Sequence, residues 1–265
     1  MLTTEKEYIA KLSDLLTILA NFWKTVKFHH HIRLWYRGQS DESWELKPGV
    51  YRDEFHVNNE QERLTKEQQL MQDFKVQSAS LLAGKTSDED LYFLQQHYKM
   101  PTRLLDWSYT PLTALYFAVT ETPNKDGALY MMDAYQLATT QHAEADTANG
   151  FRGTPTSSFP RFITALQTIT HWKTMDNFPK YILPVRPYLT DKRLVLQKSC
   201  FTFHVPGKDT LTTAHNSTVK KYLIPKSAKP GIKKELSLLG INDFTTYGDM
   251  ESLAKTLIAN HDRSI

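Results

Sequence analysis

Between Gln95 and Ser108 the chain reads Gln-Gln-His-Tyr-Lys-Met-Pro-Thr-Arg-Leu-Leu-Asp-Trp-Ser, and it continues into Tyr109-Thr110-Pro111. Few segments crowd His97, Arg103, Asp106 and Ser108 so closely among aromatic rings. Buried Arg, Asp and His each require a partner or a displaced pKa, so this density is poor core material and reads as a site in a turn between two helices. A second cation, Arg37, stands before Gly38 at the end of an alternating apolar run. Its guanidinium offers a planar fork that matches phosphate oxygens two at a time. Structural roles compete at each position. Arg103 and Asp106 can pair and fasten the turn, Arg37 can pair with Asp106, and His97 and Trp107 can be core residues.

The elements that must hold these residues are legible from spacing. Thr4-Glu5-Lys6-Glu7 forms a capping box ahead of Ile9, Leu12, Leu15, Leu16, Leu19, Trp23 and Val26, which predicts a helix over 4–27. Ile32, Leu34 and Tyr36 alternate with Arg33, Trp35 and Arg37, a strand ending at Gly38. Helices are expected from Asn59 to Leu82, from Ser87 to Gln96, from Pro111 to Thr120 and from Pro230 to Leu239. Strands are expected at Ala128–Ala134, Tyr181–Val185, Leu194–Gln197, Cys200–Val205 and Lys221–Ile224. Helices in the first half and strands in the second argue for one α+β domain over 1–265. Residues 135–180 have no clear pattern and read as an inserted lid, a substrate loop or surface decoration.

Composition removes several classes. No run of eighteen apolar residues occurs in the 265 residues, and no charged-then-apolar leader opens the chain, so a soluble, cytoplasmic protein without membrane contact is expected. The lone Cys200 agrees with a reducing compartment. Formal charge is +3, but the stretch from Lys192 to Glu235 holds ten basic residues against Asp209 and Glu235, leaving the remainder at −5. Such segregation creates either a local positive potential that draws phosphate-rich ligands or a solvated basic face. His29-His30-His31 lacks partners at metal-ligand spacing, and no GxSxG, P-loop or GxGxxG pattern occurs, so no metal is expected and hydrolase, kinase and Rossmann chemistry have no motif.

Several separated motifs then carry a resemblance. Trp35-Tyr36-Arg37-Gly38-Gln39-Ser40, Leu46-Lys47-Pro48, Arg52, Gln96-His97-Tyr98, Pro101 through Ser108, Pro111-Leu112 and Ala114 through Ala118 resemble the FRG domain family. Arg193-Leu194, Gln197, Phe201 through His204 and Gly240 through Leu253 extend the likeness, which runs over about 32–257, with Ser199 standing where the family usually has Gly. The family is distantly similar to ADP-ribosyltransferases. That resemblance implies an ADP-ribosyltransferase-like mixed or antiparallel sheet core with flanking helices, and NAD as co-substrate. It also implies a bacterial or phage-related setting, with a toxin or antiviral-defence role and an inhibitory antitoxin partner.

Cleaving the nicotinamide–ribose bond of NAD builds positive charge on the sugar, so a site needs a cation for the pyrophosphate, a flat slot for nicotinamide and acceptors near the ribose. The residues expected to carry the chemistry are Arg37, Asp106, Ser108 and Gln197. Binding of NAD is expected from Arg37, Gly38, Gln39, His97, Tyr98, Thr102, Arg103 and Trp107. Gln197 stands where those transferases place a catalytic Glu, and an amide can hold a hydroxyl but takes no proton. A nucleic acid acceptor, RNA foremost, is expected at Lys198, Lys208, Lys220, Lys221, Lys233 and Lys234, interleaved with Phe201, Phe203, Tyr222 and His204. A protein acceptor and a non-catalytic module that binds a nucleotide or phage component are the alternatives.

Overall fold

The computed structural model describes residues 7–25, 33–82, 86–143, 158–187, 192–211 and 218–261. In chain order the elements are α1 (Leu12–Thr25), β1 (Leu34–Gln39), α2 (Glu60–Ser78), α3 (Asp88–His97), β2 (Leu104–Ser108), α4 (Pro111–Thr120), β3 (Gly127–Asp133), α5 (Ala134–Ala143), α6 (Ser158–Thr170), β4 (Leu183–Val185), α7 (Lys192–Leu196), β5 (Ser199–Phe203), β6 (Val219–Ile224), α8 (Lys229–Leu238), α9 (Asp243–Tyr247) and α10 (Met250–His261). The six strands form one sheet in the order β4-β5-β2-β1-β3-β6, and every neighbouring pair is antiparallel. The α+β class is therefore correct. Strands are not confined to the second half, however, because β1, β2 and β3 all precede residue 134 and occupy consecutive central places.

Strand alternation sorts the side chains onto two faces. Leu34, Tyr36, Leu129, Met131, Tyr222 and Ile224 meet Leu115 and Ala118 of α4 and Ile232 and Leu236 of α8. Farther along the sheet Leu104, Phe201, Phe203 and Val185 meet Leu64 of α2, Phe93 of α3 and Phe162 and Ile169 of α6. Trp35, Leu105, Trp107, Tyr130, Met132 and Cys200 point the other way, under Leu46, Ile182 and Leu211 from the connecting segments. Helices thus crowd one face, while loops cover much of the other.

Four differences from the sequence pattern have physical causes. Helix α1 begins at Leu12 because residues 7–9 run beside β6, where the Ile9 amide donates to the Leu223 carbonyl at 2.8 Å and the Leu223 amide to the Glu7 carbonyl at 3.0 Å. Asp14 supplies the cap instead, accepting from the Ala10 and Lys11 amides. Thr4 and His29 through His31 lie outside the described residues. Residues 104–108, hidden in a polar motif, are a central strand held between β1 and β5. Leu194–Gln197 is not a strand: α7 occupies Lys192–Leu196, and Lys198 turns the chain into β5 with φ of 50°. Within 135–180, α6 is a core helix, with Phe162 and Ala165 fully buried, so that part is neither lid nor decoration. Residues 144–157 lie outside the described residues.

Candidate functional site

β1 and β3 pair over six positions and β2 and β5 over five, yet β1 and β2 share the single register pair Tyr36↔Ser108. Beyond it the two central strands part. Arg37 follows Tyr36 and reaches across this gap, its Nη1 donating to the Asp106 carbonyl oxygen at 2.8 Å and lying 3.8 Å from Asp106 Oδ2. Its side chain is 15% exposed, that of Asp106 57%. The Arg37 Nε–H is buried and has no hydrogen-bond partner. Burial pulls the Arg37 pKa below its ordinary value, Asp106 opposes the shift and the Arg52 charge adds to it. Arg37 remains a cation near neutrality. It is a recessed cation with one unmet donor beside an exposed carboxylate.

The fold requires this placement of Arg37. Gly38 sits where α4 crosses β1, and a Cβ there would stand 1.8 Å from the Ala114 carbonyl oxygen. Pro111 at the first turn of α4 fixes that helix directly after β2. Gly38 thus seats α4 against β1. Gln39, on the same side of β1 as Arg37, donates from Nε2 to the Glu45 carbonyl at 3.2 Å, while its Oε1 is buried without a hydrogen-bond partner.

The polar turn divides between gap and core. Thr102 is fully buried and gives its hydroxyl proton to Gln96 Oε1, and Gln96 Nε2 donates to Asp106 Oδ2 at 2.8 Å. Gln96 is a gap residue that motif reading quoted without assigning a role. Its signal was a polar residue in the last turn of α3, ten positions before Asp106. Arg52 was likewise quoted without a role. Tyr98 is exposed and stacks on His97 at 4.8 Å.

Arg103 pairs with Glu67, not Asp106. It is fully buried, with its Nη2 2.6 Å and Nε 2.9 Å from Glu67 Oε2, and it also donates to the Tyr51 hydroxyl. Its ring neighbours are Tyr51 and Phe178. Trp107 is buried and its Nε1–H donates to Thr202 Oγ1 at 3.1 Å. Both residues work inside the core. Alternation on β2 accounts for Trp107, since it shares the face of Leu105 and Cys200.

Ser108 and Gln197 come together, but through groups other than those expected. Ser108 Oγ donates to the Gln197 backbone carbonyl at 2.6 Å and accepts from the Thr110 amide at 3.0 Å. The Gln197 side chain turns toward α9, its Nε2 donating to the Thr246 carbonyl at 3.2 Å.

The basic residues do not form one surface. Lys198 and Lys208 flank opposite ends of β5, and Lys233 and Lys234 are exposed on α8, which packs on the face of the sheet away from Arg37. Lys220 is exposed on β6, whereas Lys221 is tied to Glu42 at 2.6 Å. His204, expected among the stacking groups, is fully buried and its pKa is pushed down to about 3 by that burial, against hydrogen bonds to the Lys208 and Asp209 backbone.

Among the described residues no group of three or more His, Cys, Asp and Glu side chains could hold a metal ion, and no helix is long and apolar enough to cross a membrane. No curated protein and no solved structure matches the chain. Residues 32–127, which contain Arg37, Gln96, Thr102 and Asp106 but neither Gln197 nor the lysine-rich stretch, match the family model of the FRG domain, and this match supports placing that part of the chain in the FRG family.

Proposed function

We propose that the gap between β1 and β2 binds NAD and that the chain is an ADP-ribosyltransferase, with Arg37 holding the pyrophosphate and Asp106 facing the sugar. The observation that carries this reading is the buried Arg37 Nε–H, an unmet donor on a cation beside an exposed carboxylate. A buried donor without an acceptor costs about 1–3 kcal/mol, and an anionic ligand oxygen would recover that cost. In the reaction the bond between nicotinamide nitrogen and ribose C1′ breaks and its electron pair leaves with nicotinamide. The acceptor's nucleophile forms the new bond to C1′ and loses its proton. Asp106 is the carboxylate nearest Arg37, suited to steady the positive sugar.

The dispersed lysines leave RNA, DNA and protein as arms of the test. Purified protein is incubated with NAD carrying a label on its ADP-ribose half, together with each acceptor class. Nicotinamide release and label on one acceptor are expected, and a toxin held by an antitoxin is the biological role that such an activity fits. A second reading, a non-catalytic nucleotide-binding module, is favoured by the Gln197 amide turned onto the Thr246 carbonyl and the Ser108 hydroxyl committed to the Gln197 backbone. NAD binding without nicotinamide release in any arm replaces the first reading by the second.

A further inference from the structure

We infer that Gln96 and Thr102 form a positioning relay that holds the Asp106 carboxylate in one orientation at the gap, an inference that rests on the transferase reading for its catalytic consequence. An aspartate this exposed on a strand ordinarily samples several rotamers. Here one oxygen is fixed.

The direction of every proton in the relay follows from its neighbours. The Leu104 amide donates to Thr102 Oγ1 at 3.1 Å, so the Thr102 hydrogen is directed at its other partner, Gln96 Oε1. That contact fixes the Gln96 amide with its NH2 toward Asp106, where Nε2 donates to Oδ2 at 2.8 Å. Arg37 Nη1 lies 3.8 Å from the same Oδ2. Oδ2 therefore has both an amide donor and a guanidinium as neighbours, and Oδ1 is left for the ligand. Thr102 is fully buried, so its part is exerted through Gln96 and not by touching a ligand.

The test uses the full chain with Gln96→Ala, Thr102→Val and Gln96→Glu. The last keeps an acceptor for Thr102 but sets a second carboxylate against Asp106. Two readouts are taken for each variant, after melting curves confirm folding. The first is the Asp106 χ1 rotamer distribution from NMR couplings, which needs no activity. A single rotamer is expected in the parent, with averaging in Gln96→Ala and Thr102→Val. The second is nicotinamide release against NAD affinity. Turnover is expected to fall about 10–100-fold, as is usual when a group that orients a functional residue is lost, with NAD affinity within about threefold of the parent. Gln96→Glu is expected to lose at least as much as Gln96→Ala.

A single Asp106 rotamer retained in Gln96→Ala overturns the relay, whether or not the parent consumes NAD. Unchanged turnover in an active parent overturns it too. If the parent releases no nicotinamide but the variants average the Asp106 rotamer, the relay stands as a positioning device and the transferase reading falls.

Discussion

Arg37 of β1 donates to the backbone carbonyl of Asp106 on β2 at 2.8 Å, just past the one register pair those strands share. A side chain thus bridges the strands where ladder pairing has stopped, and it keeps Nε–H without a hydrogen-bond partner. Arg37→Ala is expected to weaken NAD binding about 10–100-fold, the usual range for a lost hydrogen bond to a charged group. Arg37→Lys is expected to recover only part, because an ammonium has no fork. Calorimetric titration of folded variants checks this. Parent-like affinity in Arg37→Ala removes the clamp.

Gly38→Ala tests the seat of α4. A Cβ 1.8 Å from the Ala114 carbonyl cannot be accommodated by moving a side chain, because the obstacle is helix backbone. A loss of about 3 kcal/mol or more is expected, at the upper end for an overpacked site. Denaturant unfolding measures it. A cost below about 1 kcal/mol would show that α4 slides freely over β1.

Arg103→Met is expected to cost about 3–5 kcal/mol, since it strands the Glu67 carboxylate in the core. Burial, helped by the Glu60 charge, pushes the Glu67 pKa upward, and Arg103 is the main group that opposes it, with Arg63 behind it. The double variant Arg103→Met, Glu67→Leu removes both charges and is expected to regain most of the loss. Equal destabilisation of single and double variants in a double-mutant cycle would mean that Arg103 acts through Tyr51 and Phe178 instead of through Glu67.

Periodicity located most elements because their apolar spacing is local: α4, α8 and β3 begin within one residue of the boundaries read from sequence. β2 escaped because Asp106 and Ser108 interrupt its apolar run, and only the flanking β1 and β5 make it a strand. Arg37 and Asp106 were legible as residues that could do chemistry. Their pairing was legible only as one of several structural alternatives, because it depends on where the β1–β2 ladder ends. The partner of Arg103 was illegible for a related reason: Glu67 lies thirty-six positions away on α2, and spacing reports only neighbours three or four apart.

The dispersed lysines permit a test of the acceptor. Lys233→Gln with Lys234→Gln alters α8, while Lys220→Gln with Lys221→Gln alters β6 and frees Glu42 from its ion pair. If one surface tracks a phosphate backbone, one pair alone is expected to weaken RNA binding and to reduce the slope of log affinity against log salt by about 1–2. Filter binding at several salt concentrations checks this. Equal slopes in both pairs and the parent would turn the search toward a protein acceptor.

His204 sets an acid limit to the fold. Its Nε2 lies 3.1 Å from Thr202 Oγ1, which accepts from Trp107 Nε1–H, and its Nδ1 lies 3.1 Å from the Lys208 carbonyl. With a carbonyl facing Nδ1, the neutral ring carries its proton there and accepts from Thr202 at Nε2. Burial holds the pKa down to about 3, against an ordinary value of 6.5 and against the hydrogen bonds to the Lys208 and Asp209 backbone. Below pH 6.5 the unfolded chain binds a proton that the folded chain refuses, so stability is complete above that pH and falls as pH drops toward 3. The slope approaches about 1.4 kcal/mol per pH unit inside that window, which makes the loss about 2 kcal/mol by about pH 5. His204→Gln takes no proton and is expected to start less stable but to show a flatter profile over the same range. Urea unfolding of both proteins across the window provides the comparison. Parallel profiles would place the acid sensitivity in the carboxylates and not in this imidazole.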